Sequence, residues 1–139
     1  MSVLAEALSL QLKKKDIKHS VHGDEKEGVI MLQQLPNSKI TATVLLLTED
    51  KTNSVSIRFY NFYKFEEQDQ SGNLFFLLNK MNTRYRWGKI VLDGEDIVVS
   101  MDALVTPFNI AEVCIQLVMY GAKIADETYY ALEKLKYQL

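Results

Sequence analysis

An α+β fold is predicted by three observations. The apolar spacing runs at helical steps up to Asp16, alternates from Asp16 to Lys64, and returns to helical steps after Ser71. Turn-forming clusters at His22–Gly23–Asp24, Pro36–Asn37–Ser38 and Glu49 to Asn53 cut the alternating stretch into four runs. Strands therefore come in succession rather than singly between helices, which excludes a doubly wound parallel sheet and its usual phosphate-binding crevice. The expected order is αββββαββα, an antiparallel sheet with helices packed on one face. At 139 residues, 47% hydrophobic and 24% charged, the chain has material for one core, so residues 1–139 are read as a single domain.

The first helix is expected over residues 2–16. Ser2 caps it, Val3, Leu4, Ala7, Leu8 and Leu12 form its stripe, and Lys13, Lys14 and Lys15 complement the dipole at its C-terminal end. In the third strand run Ile40, Ala42, Val44 and Leu46 share a face; in the fourth, Val55, Ile57 and Phe59 do, with Ser54, Ser56 and Arg58 opposite. The fourth run then turns aromatic on both faces at Tyr60, Phe62, Tyr63 and Phe65, more apolar surface than a one-sided strand requires. Those four residues are the first candidate for a protein-binding surface.

Ser71 is the candidate cap of a second helix carrying Leu74, Leu77, Leu78 and Met81 and ending near Asn82. Runs at Trp87 to Asp93 and Asp96 to Met101 flank Asp93–Gly94, which suits a type I′ hairpin turn. Thr106–Pro107 reads as the cap and first residue of a final helix reaching residue 137. Unbroken, it would be about 46 Å long at about 1.5 Å per residue, longer than such a domain is wide, so a break near Gly121 or an overhang packed on a partner is expected.

Composition limits the function classes. The net charge of −2 gives no global attraction to nucleic acid or anionic lipid. No apolar run approaches the roughly 18–20 residues that span a bilayer. The single thiol, Cys114, cannot form an intramolecular disulfide, and the N-terminal residues place positive charge after the apolar ones, opposite to a signal peptide; a reducing cytoplasm is the expected location.

Little of the sequence suggests catalysis. His19 and His22 have a spacing that a strand sends to opposite faces, and a zinc site would need further ligands from Asp24, Glu25 or Glu27, so they are read as surface histidines. Cys114 lies on the apolar stripe of the last helix and is read as core packing. Nucleophile elbow, phosphate-binding loop, dinucleotide fingerprint and zinc-protease motif are all missing. The carboxylates of Asp93, Glu95 and Asp96, and of Glu66, Glu67 and Asp69, fall in surface turns, whereas an acid–base pair needs an enclosing pocket, so they are read as solvated loop residues. The chain is expected to be no enzyme and to need no cofactor or metal. The densest polar and aromatic cluster is Lys80, Arg84, Tyr85, Arg86, Trp87 and Lys89, which with Arg58 could bind single-stranded nucleic acid by stacking and phosphate contact. The preferred reading is a strand entry with Tyr85 and Trp87 packed inward and the cations in water.

Residues 78–104 resemble the bacterial YbjN family, through Leu78, Asn79, Asn82, Trp87, Gly88, Lys89, Leu92, Asp93 and Gly94. The resemblance implies the α+β fold shared with class I type III secretion chaperones, commonly dimeric and binding segments of other proteins. The family carries the label of sensory transduction regulators, which names no ligand. Read physically, Gly88 allows a bulge or close backbone approach, and Asn82 tolerates the left-handed conformation at a helix end. The expectation is thus a non-catalytic adaptor or chaperone-like regulator of the bacterial cytoplasm with an unidentified protein partner. Surplus apolar surface, the long last helix and the resemblance all point to a homodimer.

Overall fold

The computed structural model describes residues 2–23, 27–66 and 72–137. Helix α1 (Val3–Lys14) is followed by strands β1 (Ser20–His22), β2 (Gly28–Gln34), β3 (Thr41–Glu49) and β4 (Ser54–Tyr60), helix α2 (Gly72–Asn82), strands β5 (Lys89–Asp93) and β6 (Asp96–Leu104), and helix α3 (Ile110–Lys136). This is the expected element order. The six strands form one sheet in the order β1-β2-β3-β4-β6-β5, and every neighbouring pair is antiparallel.

Register builds the core in rows. Val29, Leu46, Ile57 and Met101 lie side by side across four strands, and Val44, Phe59, Val99 and Ile90 form the next row. All eight are buried beneath the helices, Ile90 beside α2 and the others under α1 and α3, each contributing roughly 1.5–3 kcal/mol by leaving water. Helix α1 adds Leu4, Leu8 and Leu12. Ser2 caps it as expected, its Oγ accepting the Ala5 N–H at 3.1 Å, but Asp50 caps it too, accepting the N–H groups of Val3 and Leu4 at 2.9 and 3.1 Å. The Ser2 hydroxyl, which donates to Asp50 Oδ1 at 2.7 Å, and then these backbone bonds hold the Asp50 carboxyl below the usual carboxylate range. The helix stops before residue 16 because Asp16 turns left-handed (φ +58°) and the Ile17 N–H closes back on the Leu12 carbonyl.

The aromatic end of β4 corrects the period-two reading. Phe59 pairs with Val99, but the next bridge joins Lys64 to Asp96, so the β4 side gains two residues in a bulge. Asn61 makes the bend in the left-handed region (φ +65°), its Nδ2 donating to Thr43 Oγ1 at 3.0 Å. The bulge turns Phe62 and Phe65 back into the core, 3% and 5% exposed. The second face needs no external cover for them.

Three other expectations are corrected. The hairpin turn is centred on Gly94–Glu95, between the paired Asp93 and Asp96, and only Gly94 is left-handed (φ +62°). That is the pattern of a type II′ turn, not I′. Thr106 and Asn109 cap each other reciprocally, Thr106 Oγ1 accepting the N–H groups of Phe108 and Asn109 and Asn109 Oδ1 accepting the Thr106 N–H, so the regular helix begins at Ile110 rather than Pro107. Asn82 is not left-handed. Its carboxamide instead accepts the Ile90 N–H at 2.7 Å and donates to the Ile90 carbonyl at 2.9 Å, imitating a strand on the free edge of β5. The Ser71 cap lies outside the described residues.

Helix α3 runs unbroken for 27 residues, about 40 Å at about 1.5 Å per residue. Gly121 is not a break but a seat: a Cβ there would lie 2.3 Å from Phe59 Cε1 and 2.6 Å from Met101 Cε. Beyond it, Asp126 accepts the N–H groups of Asn37 and Ser38, both at 2.9 Å, and these bonds keep its buried carboxyl below the ordinary range despite the opposing cost of burial. Leu132 is buried, and Tyr129 stacks edge-on against Tyr63 at 5.8 Å. With the C-terminal turns packed on the body, helix length gives no reason for a second copy. Exposed apolar side chains remain at several places, Leu32, Phe76, Leu104, Phe108 and Met119 among them.

Candidate partner-binding cleft

Residues 84–88 form no strand, because β5 begins only at Lys89. Period two therefore does not govern them, and the residue that goes inward is Gly88. A Cβ on it would meet Ile124 Cδ1 at 2.7 Å and Met101 Cγ at 3.2 Å, which is the close approach expected of this glycine. With Gly88 pressed under α3, Trp87 is displaced outward and is 56% exposed, contrary to the inward packing expected of it, while Tyr85 is half-buried and packs against the core as expected.

The 84–87 segment faces α3 across a recess of about 430 Å³, where Arg84, Tyr85, Arg86 and Trp87 meet Tyr120, Lys123, Ile124 and Glu127. A second recess of about 480 Å³ continues from it, lined by Trp87, Tyr120, Leu117, Val113, Gln116 and the end of β6 from Asp102 to Leu104. Trp87 and Tyr120 line both, so the two recesses adjoin at these rings and make a cleft surface with a cationic side and a largely aliphatic side. Leu104 is 81% exposed there. Tyr85 donates to Glu127 Oε2 at 2.6 Å, and burial together with this bond raises the phenol pKa well above its ordinary value. Arg84, Arg86 and Lys123 are exposed and have no ion pair among the described residues.

Of the six residues in the basic and aromatic cluster, the cleft takes four. Lys89 turns its Nζ to the carbonyls of Asn82 and Tyr85 at 2.9 and 2.6 Å, and Lys80 stands on α2 outside the cleft. Arg58 lies across the sheet, paired with Asp102 at 3.3 Å. Of the other candidate surface, Phe62 and Phe65 are core residues, Tyr63 is held between Phe65 and Tyr129, and only Tyr60 and Tyr63 keep partial exposure. The β4 bulge takes the two phenylalanine rings inside, so of the four only the tyrosines still reach the surface. Sequence reading missed Tyr120, Lys123 and Leu104. The available signal was the α3 stripe Val113, Leu117, Tyr120, Ile124 and Glu127, a second face beside the core stripe.

The remaining candidates are structural. His19 donates from Nδ1 to the Ile17 carbonyl at 2.9 Å, leaving Nε2 to accept the Ser9 hydroxyl at 2.8 Å. Cys114 is buried, and desolvation pushes its thiol pKa up to about 12, far from a nucleophile's range. Asp93 and Glu95 are exposed at the hairpin turn and Asp96 lies 4.0 Å from Lys64. Asp24, Glu25, Glu67 and Asp69 fall outside the described residues. Among the described residues, no three His, Cys, Asp or Glu side chains converge as a metal site, and no helix is long and apolar enough to cross a membrane.

This architecture occurs in a known structure. The fold is that of YbjN from E. coli. The two superpose with a TM-score of 0.67 at 14% identity, over 91% of this chain and 92% of that one. YbjN is described as "a putative transcription regulator". No family model and no curated protein matches the sequence. The YbjN-like fold foreseen from residues 78–104 is thus shown by the arrangement of nearly the whole chain.

Proposed function

We propose that this chain is a non-catalytic regulator of the bacterial cytoplasm that works by binding a segment of another protein. The observation that carries the reading is the cleft shared by Trp87 and Tyr120, which joins exposed aliphatic surface to exposed cations without a poised nucleophile or acid–base pair. Aromatic and Arg side chains at the centre of a concave surface are the usual anchors of protein recognition. The regulator description of the structurally similar YbjN agrees with a binding role.

A single-stranded nucleic acid is the competing occupant, since Arg84, Arg86, Lys123 and the Trp87 ring also suit phosphates and bases. The aliphatic half of the cleft argues against it, because Val113, Leu117 and Leu104 have no partner on a polyanion. Pull-down from a cytosolic lysate at low and high salt decides, run beside the Trp87→Ala/Tyr120→Ala variant. The expected result is a stoichiometric protein captured by the parent and not by the variant. Stoichiometric nucleic acid, or a bound metabolite in place of a protein, would overturn the reading.

A further inference from the structure

We infer that the cleft recognises a short extended segment whose aliphatic or aromatic anchor is followed or preceded, about three residues away, by an acidic side chain. The inference rests on the protein-binding reading and adds the chemistry of the partner. Its first support is charge. Arg84, Arg86 and Lys123 gather at one end of a chain whose net charge is −2, and no carboxylate among the described residues pairs with them. Glu127 is the carboxylate lining that end, and it accepts the Tyr85 hydroxyl at 2.6 Å. Three cations against one carboxylate leave the cationic end positive, so a neutral or basic segment would gain little or be repelled there.

The second support is the division of the cleft along α3. Val113 and Leu117 line the aliphatic recess, Tyr120 stands at the junction, and Lys123 lines the cationic recess. Leu117 and Lys123 are six positions apart on one continuous helix, about 9 Å along its axis at about 1.5 Å per residue. An extended chain covers that distance in about three residues at about 3.3 Å each. The helix rise sets the axial part of this spacing, and the two side chains, about 120° apart around the helix, widen it to roughly two to four residues. Both recesses together, from Val113 to Glu127, match an extended segment of about six residues. Trp87 forms the wall at the junction, where a backbone crossing from one recess to the other would lie against its ring.

A displayed library of random heptapeptides selected against the intact protein tests this, with the Trp87→Ala protein as counter-selection. Trp87 is the chain's one tryptophan, so its emission reports occupancy of the cleft directly. The expected result is enrichment of Asp or Glu two to four positions from a Leu, Ile, Phe or Trp. Synthetic versions without tryptophan should shift Trp87 emission, and replacing their acids by Asn should weaken them by about tenfold or more, an effect that shrinks as salt rises. In the Arg84→Gln/Lys123→Gln protein, acidic and Asn peptides should bind alike. Enriched peptides without acids, or acidic and Asn peptides of equal affinity on the parent protein, would overturn the inference while leaving a protein-binding cleft. Selection of no peptide, with a ten-residue oligouridylate shifting Trp87 emission instead, would overturn both.

Discussion

Two aromatic stretches of the chain meet opposite fates. Residues 59–65 run out of the end of β4 and residues 84–87 follow α2, and each sets a tyrosine near a carboxylate of α3, Tyr63 near Glu133 and Tyr85 bonded to Glu127. The first loses Phe59, Phe62 and Phe65 to the core, and the second leaves Trp87 on the surface. The difference is backbone. A two-residue bulge at Asn61 rotates successive rings inward, while at 84–88 the inward position is taken by Gly88, too close to Ile124 for any ring. Aromatic density in a sequence thus marks where apolar surface is available, and the local path of the chain decides whether it stabilises the fold or faces a partner.

The largest effect that would break this contrast is at Phe62. Phe62→Ala should cost about 3–5 kcal/mol in denaturant unfolding, since it empties a fully enclosed site. A loss below about 1 kcal/mol would mean that the bulge does not bury the ring in solution.

Gly121→Ala probes the seat of Phe59, where the first stretch begins. On helix propensity alone the change should stabilise by about 1 kcal/mol. Because the new Cβ falls 2.3 Å from the Phe59 ring, a net loss of about 1–3 kcal/mol is expected instead from thermal or urea unfolding.

The two tyrosine anchors sharpen the comparison through pH. Burial and the Glu133 bond raise the Tyr63 phenol, and burial and the Glu127 bond raise that of Tyr85, so both fold best as neutral phenols. The stability they contribute is fully present below the unfolded value of about 10 and is lost as pH rises from there through the higher folded-state values. The Tyr63→Phe/Tyr85→Phe double variant should lose up to about 1 kcal/mol per hydroxyl near neutrality and show a shallower alkaline limb when stability is measured from pH 8 to 11. An unchanged alkaline slope would remove these phenols as its source.

Trp87→Ala should have the smallest effect on the fold, within about 0.5 kcal/mol in the same unfolding experiment, because the ring is more than half exposed. Its effect on capture of a partner should be large. A Trp87→Ala protein that loses stability like Phe62→Ala would place the ring in the core and abolish the distinction between the two stretches.

By itself the sequence determined the element order, the helix-facing rows Ile40, Ala42, Val44, Leu46 and Val55, Ile57, Phe59, of which only Ile40 is no more than partly buried, the capping role of Ser2, the buried state of Cys114 and the YbjN-like hairpin region, because periodicity, caps and turn residues act over a few neighbouring positions. It also marked Arg84, Tyr85, Arg86 and Trp87 as a distinctive cluster. Tertiary structure alone decided that α3 passes Gly121 unbroken, that Phe62 and Phe65 turn inward, that Asn82 closes the edge of β5, and that Tyr120 and Lys123 complete the cleft. Each of these joins residues distant in the chain, such as Gly121 with Phe59 or Asn37 with Asp126. A bulge, a packed glycine or a shared cleft depends on what lies across the interface, and no local spacing rule encodes a neighbour that the fold itself must bring near.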